Sequence, residues 1–294
     1  EFLARLKRDH GDRHAQLLAY RAGQVLPPVE TSELLLACAP VIEDVIGDLF
    51  DIDSTLEQAR ARTLAHNPVF AFKKLFVLRR ARRRLLTKEE IQDFPELDAW
   101  LTKELKTAGL ATDDPELAVA QFGQRLLDDA DARKDAIEML TRWCIQAIKT
   151  EEGRARVNRW VSFRLPVGVD YANLVPLKFV KKDDIGRYEN ASGCTHLRDG
   201  FSLTDLRMDT RQVQNEVNYC IYCHDHDGDF CSKGFPEKKG EPDKGIKKNA
   251  IGVSLDGCPL EEKISEMHSL KRDGHTVAAL AMIMLDNPMC PATG

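Results

Sequence analysis

Three things are scarce in this sequence. Basic excess is absent: 42 Lys and Arg face 47 Asp and Glu, a formal net charge of −5 over 294 residues. Bulk electrostatics therefore gives no argument for nucleic acid. Long hydrophobic runs are missing too. The longest, Val277–Leu285, has nine residues, far short of the roughly 20 that a membrane-spanning helix needs. Finally, no signal peptide is visible, and the chain opens on Glu1 rather than Met. It is expected to be a fragment of a longer protein, so missing targeting signals say little. What is present, 43% hydrophobic and 30% charged residues, is the composition of a soluble globular protein with room for one large domain or two ordinary ones.

The eight cysteines are unevenly spread. Five of them, Cys220, Cys223, Cys231, Cys258 and Cys290, lie after Tyr219. Crowding toward one end of a large chain, with a C-x-x-C pair, argues for metal-directed thiols in a reducing cytoplasm rather than a secreted disulfide scaffold.

Residues 1–155 read as an all-helical region without a detectable repeat. Residues 1–23 are helical by pattern, and Pro27-Pro28 breaks the chain. Thr31 or Ser32 is the expected cap of a helix carrying Leu34 to Phe50, which Pro40 should kink or split. Ser54-Thr-Leu-Glu57 and Thr87-Lys-Glu-Glu90 are capping boxes, and Asn67-Pro68 starts another helix. Pro95–Gly109 and Pro115–Thr150 are expected as two further helices, the second long. Arg79–Arg84 holds five arginines. They suit a solvated helix face paired with Glu89–Glu96 better than a docking patch. Cys38 and Cys144 fall among apolar residues and belong in a core. His10, His14 and His66 stand alone, as surface or capping groups.

The texture changes near Trp160. Residues 156–214 form a connector, with β-favouring Tyr171–Val180 as a small hairpin and Cys194-Thr-His196 in a polar stretch. Cys194 is more simply packing than ligand. Ser202–Asp209 and Val213–Tyr219 are expected as short helices. Residues 215–294 hold the cysteine region. Lys233–Asn249 is a lysine-rich surface loop, without the aromatics of a nucleic-acid site. Cys258-Pro259 should open a helix that stops at Gly274, and Thr276 a buried second one that ends before Asn287-Pro288. The expected fold is mainly α: a helical region, a β-hairpin connector and a cysteine-rich helical segment.

Cys220, Cys223, Cys231 and Cys258 are the candidate ligands. Their spacing alone leaves two readings open. One is a [4Fe–4S] centre on four thiolates. The other is a structural zinc in a non-enzymatic interaction module, on four thiolates or on three with His196, His224 or His226. A redox dithiol lacks its usual strand–helix context.

The order C-x-x-C, Cys231, Gly257-Cys258-Pro259-Leu260, then Gly274, Ala279-Leu280, Asp286-Asn287-Pro288 and Thr293-Gly294 resembles a known family domain. It is the N-terminal iron–sulfur domain of the glutamate synthase small chain, shared with dihydropyrimidine dehydrogenase and related flavoprotein oxidoreductases. The resemblance covers about residues 215–294. It implies a helical, ferredoxin-like domain with two [4Fe–4S] clusters. Cys220, Cys223 and Cys231 would be ligands of one cluster and Cys258 of the other, with no catalytic side chain in the fragment. It also implies an oxidoreductase in which FAD- and NAD(P)H-binding domains follow in the same chain, with a possible redox partner subunit. Two departures are visible: seven residues precede Cys231 and 26 separate it from Cys258. Cys290 has no counterpart in the pattern, and the chain stops before the further cysteines that complete both clusters.

Overall fold

A computed structural model describes the chain apart from residues 86–92, 183–184, 192–197, 205, 227, 239–240 and 294. The Thr87 box and Cys194-Thr-His196 lie outside the described residues. The fold is mainly α with one two-stranded antiparallel hairpin.

The helix that positions everything else is α3, Pro28–Phe50. Pro28 sits in its first turn, where a missing N–H costs nothing. The helix therefore starts ahead of Thr31 and Ser32, which are not its caps. It also runs unbroken through Pro40. An interior proline costs about 3 kcal/mol, and α3 offsets this by packing on two sides. Leu34, Cys38 and Val41 form a small core with Leu6 of α1 (Phe2–Asp9) and Leu17 of α2 (Gly11–Arg21). Leu35, Leu36 and Ala39 face the far end of the chain, packing with Met267, Leu270, Ala278, Ala279 and Met282. Asp51 then turns left-handed (φ 53°) and ends the helix. Helix α4 follows directly as Asp53–Leu64, and Ser54 makes no cap there.

A second, larger core spans Val69 to Val161. Its elements are α5 (Asn67–Phe72), a π-helical continuation Lys73–Ala81, α6 (Phe94–Thr107), α7 (Pro115–Asp128), α8 (Lys134–Lys149) and α9 (Glu151–Arg156). Trp143 is its fully buried centre, ringed by Phe94, Trp160 and Phe163 at centroid distances of about 6 Å. The single long helix expected over Pro115–Thr150 is thus two, α7 and α8. The break falls at Asp128-Asp-Ala-Asp, where poor helix formers have no apolar residue to bury. Cys38 and Cys144 are buried, as expected, and burial pushes both thiols up. Arg84 pairs bidentately with Glu138 of α8 at 2.7 Å, and Glu89 and Glu90 of the expected acidic partner segment lie outside the described residues.

Lys73 opens the π-helical stretch and is buried beside aromatic neighbours. Its ammonium donates to the carbonyls of Val161 (3.0 Å) and Arg164 (2.7 Å) and to Asn215 Oδ1 (2.7 Å). It also stands 3.1 Å from the Tyr219 hydroxyl and over that ring. Burial lowers its pKa to about 8. One cation thus fastens the large core to the residues that lead into Cys220.

Beyond the core come β1 (Leu177–Lys182) and β2 (Ile185–Asn190), paired Phe179 to Tyr188. The expected helix over Ser202–Asp209 does not form among its described residues. Asp209 instead caps α10 (Thr210–Val217) in a reciprocal box with Gln212. Cys258-Pro259 does not open a helix either. Pro259 lies in a turn, Glu261 takes a left-handed φ of 53°, and α12 begins only at Ile264, running to Arg272. Gly274 (φ 88°) separates it from α13, Thr276–Met284. Glu43 of α3 reaches the start of α13, accepting from the amides of Val277 (2.8 Å) and Ala278 (3.0 Å) and facing His275 Nδ1 at 3.0 Å. Its burial works to raise the carboxyl pKa. The His275 and backbone hydrogen bonds outweigh it and hold the pKa below the usual carboxylate range.

Two outcomes follow. Glu43→Ala is expected to destabilise the protein by about 2–3 kcal/mol, the value of charge-assisted hydrogen bonds to a buried group, checked by urea unfolding. Lys73 has a folded pKa below its ordinary 10.5, so the folded state releases its proton first. Relative to Lys73→Met, the wild type should gain stability as pH rises from about 8 to 10.5, by on the order of 3 kcal/mol. Parallel unfolding series across that range check it.

Candidate metal centre

Three short segments carry the four expected ligands. Cys220 and Cys223 follow α10. Tyr222 between them takes a left-handed φ of 49°, which turns its N–H onto Cys220 Sγ at 3.3 Å. This strained residue is held by its neighbours: its hydroxyl donates to the Val217 carbonyl (3.2 Å), and the Arg272 guanidinium lies 4.5 Å from its ring centroid. Cys223 is buried and starts a 3₁₀ turn to His226, while the Gly228 amide returns to its carbonyl at 2.9 Å.

Cys231 lies in the short helix α11, Phe230–Lys233. The chain after it runs beside the chain before Cys258, and the Cys258 amide donates to the Cys231 carbonyl at 2.8 Å. Gly257 permits this approach, since a Cβ there would collide with the Ser232 carbonyl. The wide 26-residue gap is thus closed in space by backbone pairing. Burial, followed by the nearby Cys223 and Cys220, pushes the exposed Cys231 thiol up. Cys290 heads the separate helix α14, Cys290–Thr293.

Cys220 and Cys223 lie near enough to Cys231 to act on its thiol, and Cys258 is joined to Cys231 through the backbone. Among the described residues, however, no three His, Cys, Asp or Glu side chains are set to hold a metal ion. The seven described cysteines are all free thiols. His224, a candidate imidazole ligand, is buried with both nitrogens engaged: Nδ1 with Ser265 Oγ (2.6 Å) and Nε2 with Asp225 (3.2 Å). It orients the segment instead of offering a lone pair.

Sequence reasoning missed Glu266. It is 2% exposed, accepts from Ser32 Oγ at 2.6 Å through Oε1, and lies close enough to Cys231 to raise that thiol's pKa. The signal was there: Glu266 stands four residues before buried Leu270, on the inward row of α12. His66, expected to stand alone, faces Arg211 (3.3 Å), which pairs with Asp114 and Glu116.

Residues 1–51, helices α1 to α3, match a family model described as the RP005 N-terminal alpha-helical domain. The chain is also 26% identical over 269 residues to an uncharacterized protein, RP005, of Rickettsia prowazekii (strain Madrid E). That similarity covers 88% of this chain and 86% of the relative. No solved structure matches. These findings overturn the resemblance to the glutamate synthase small-chain domain. The similarity runs through most of the chain, helical region included, and none of it is to an iron–sulfur or glutamate synthase family. Cysteine order within about 80 residues was too short and too widely gapped to identify one. The flavin and NAD(P)H domains implied by that resemblance rested on it alone.

Gly257→Ala should part the paired chains around Cys231 and Cys258. The expected result is a loss of about 1–3 kcal/mol and faster labelling of Cys258 by a thiol reagent, read by peptide mass spectrometry.

Proposed function

We propose that the C-terminal segment is an electron-transfer centre in which Cys220, Cys223, Cys231 and Cys258 hold an iron–sulfur cluster. The observation that carries the reading is the Tyr222 N–H aimed at Cys220 Sγ. A backbone donor on a sulfur stabilises the thiolate and is one of the levers that set a cluster's potential. The donor set fits: four soft thiolates, on segments brought together by the Cys258–Cys231 backbone bond. One observation favours a cluster over a mixed zinc site. His224 is committed to Ser265 and Asp225, which disfavours a thiolate–imidazole site built on it.

A cluster would supply one-electron chemistry. The chain's part is positional. Cys223 is buried and fixes the inner side, and Cys231 is exposed and gives the outer side access to a redox partner. Arg272 over Tyr222 holds the turn that aims the amide.

Protein isolated without oxygen should contain iron and acid-labile sulfide and show broad visible absorption that bleaches on reduction. Cys220→Ser and Cys231→Ser should lose the colour, and Cys290→Ser should keep it. A colourless protein carrying zinc, or colour untouched by Cys220→Ser, sinks the proposal.

A further inference from the structure

A cavity of about 310 Å³ lies where α4 meets α10, α12 and α13. Arg62 and Thr63 reach it from α4, Thr210 from the start of α10, Lys271 from the last turn of α12 and Thr276 from the start of α13. Among the described residues its lining holds two cations and no carboxylate. At this size it takes a small molecule or one end of a larger one.

Lys271 is half-buried, Arg62 is exposed, and among the described residues neither forms an ion pair with a carboxylate. The two acids near by are committed elsewhere. Asp209 accepts from the Gln212 amide and lines two other cavities. Glu43 acts on the Lys271 charge, but its oxygens are taken by His275 and by the Val277 and Ala278 amides. Burial therefore prevails at Lys271 and holds its pKa below the ordinary lysine value, the mark of a cation whose desolvation no partner charge offsets. The donors are open. The Lys271 ammonium gives one proton to Thr276 Oγ1 at 3.1 Å, in an exposed position, which leaves it two more. The Thr276 hydroxyl, accepting there, keeps its own proton to give, and the exposed Thr210 adds a second hydroxyl. Thr63 gives none, because its hydroxyl is spent on the Ala59 carbonyl at 3.0 Å. An ammonium, a guanidinium and two hydroxyls around one space call for an oxyanion that accepts from several sides. An ammonium and a hydroxyl 3.1 Å apart can meet two adjacent oxygens of one tetrahedral group.

We propose that this cavity binds a phosphoryl group, as inorganic phosphate or as the end of a small phosphomonoester, with Lys271, Thr276 and Thr210 donating to its oxygens and Arg62 meeting it from α4. The site bridges α4 and the helices on either side of the cysteine segment. Occupation therefore ties these elements together and stabilises the folded protein by mass action. The thiolates form no part of it, and the inference does not depend on the metal.

Calorimetric titration of the protein with inorganic phosphate and with methyl phosphate tests this, with sodium chloride as the control anion. The expected result is saturable one-to-one binding of a phosphoryl probe and none of chloride. Methyl phosphate binding more tightly than phosphate assigns the site to an ester, and the reverse order assigns it to the free ion. Lys271→Met should weaken binding about tenfold or more, and Arg62→Ala should weaken it too. Arg62 is exposed, so its variant decides the matter even where Lys271→Met does not fold. No saturable binding of either phosphoryl probe overturns the proposal. So does chloride binding as tightly as phosphate, or an affinity unchanged in Arg62→Ala.

Discussion

The contact on which the rest depends is a carboxylate in the middle of α3 meeting the start of a helix more than 230 residues later. Glu43 accepts the first free amides of α13, where the helix dipole is positive. It does so from a buried position, so the pairing is directional as well as strong. Around it, Leu35, Leu36 and Ala39 pack on Leu270, Ala278 and Met282. Ser32 makes a second polar tie to Glu266, one helix earlier in the hairpin. α3 thus joins α1 and α2 on one side to α12 and α13 on the other.

That arrangement explains why the cysteine segment needs so little regular structure of its own. Between Cys220 and Cys258 the chain is mostly turns, with one α-turn at Phe230–Lys233. Its shape comes from outside. Lys73 grips Asn215 and Tyr219 from the large core, α12 presents Ser265 to His224, and Gly257 lets the two outer strands of the loop touch. These contacts from outside hold the cysteine segment in place.

Much of the fold was legible in the sequence, because periodicity reports helices well. The helical region, the core roles of Cys38 and Cys144, the Gly274 stop and the Thr276 helix follow from local pattern, and so does a small hairpin, though its strands begin at Leu177 and extend to Asn190, past the expected Tyr171–Val180. Boundaries failed where tertiary packing overrode local preference. Pro40 did not split α3 because both faces of that helix are buried. Pro259 did not open α12 because the chain there turns back along Cys231 first. At the site, the four cysteines were visible as residue types. The buried carboxylate Glu43 was not, since its partners lie more than 200 residues away. The family resemblance misled because it weighed a short, widely gapped order of cysteines and turn residues within residues 215–294. The similarity found runs through most of the chain and includes the helices that brace the site.

The central claim, that Cys220, Cys223, Cys231 and Cys258 form one thiolate centre, is tested most directly by X-ray absorption at the metal edge on anaerobically isolated protein. The account predicts iron in an all-sulfur first shell, with neighbouring iron atoms in the second. A shell of nitrogen and oxygen, or an isolated zinc ion without a metal neighbour, would contradict it.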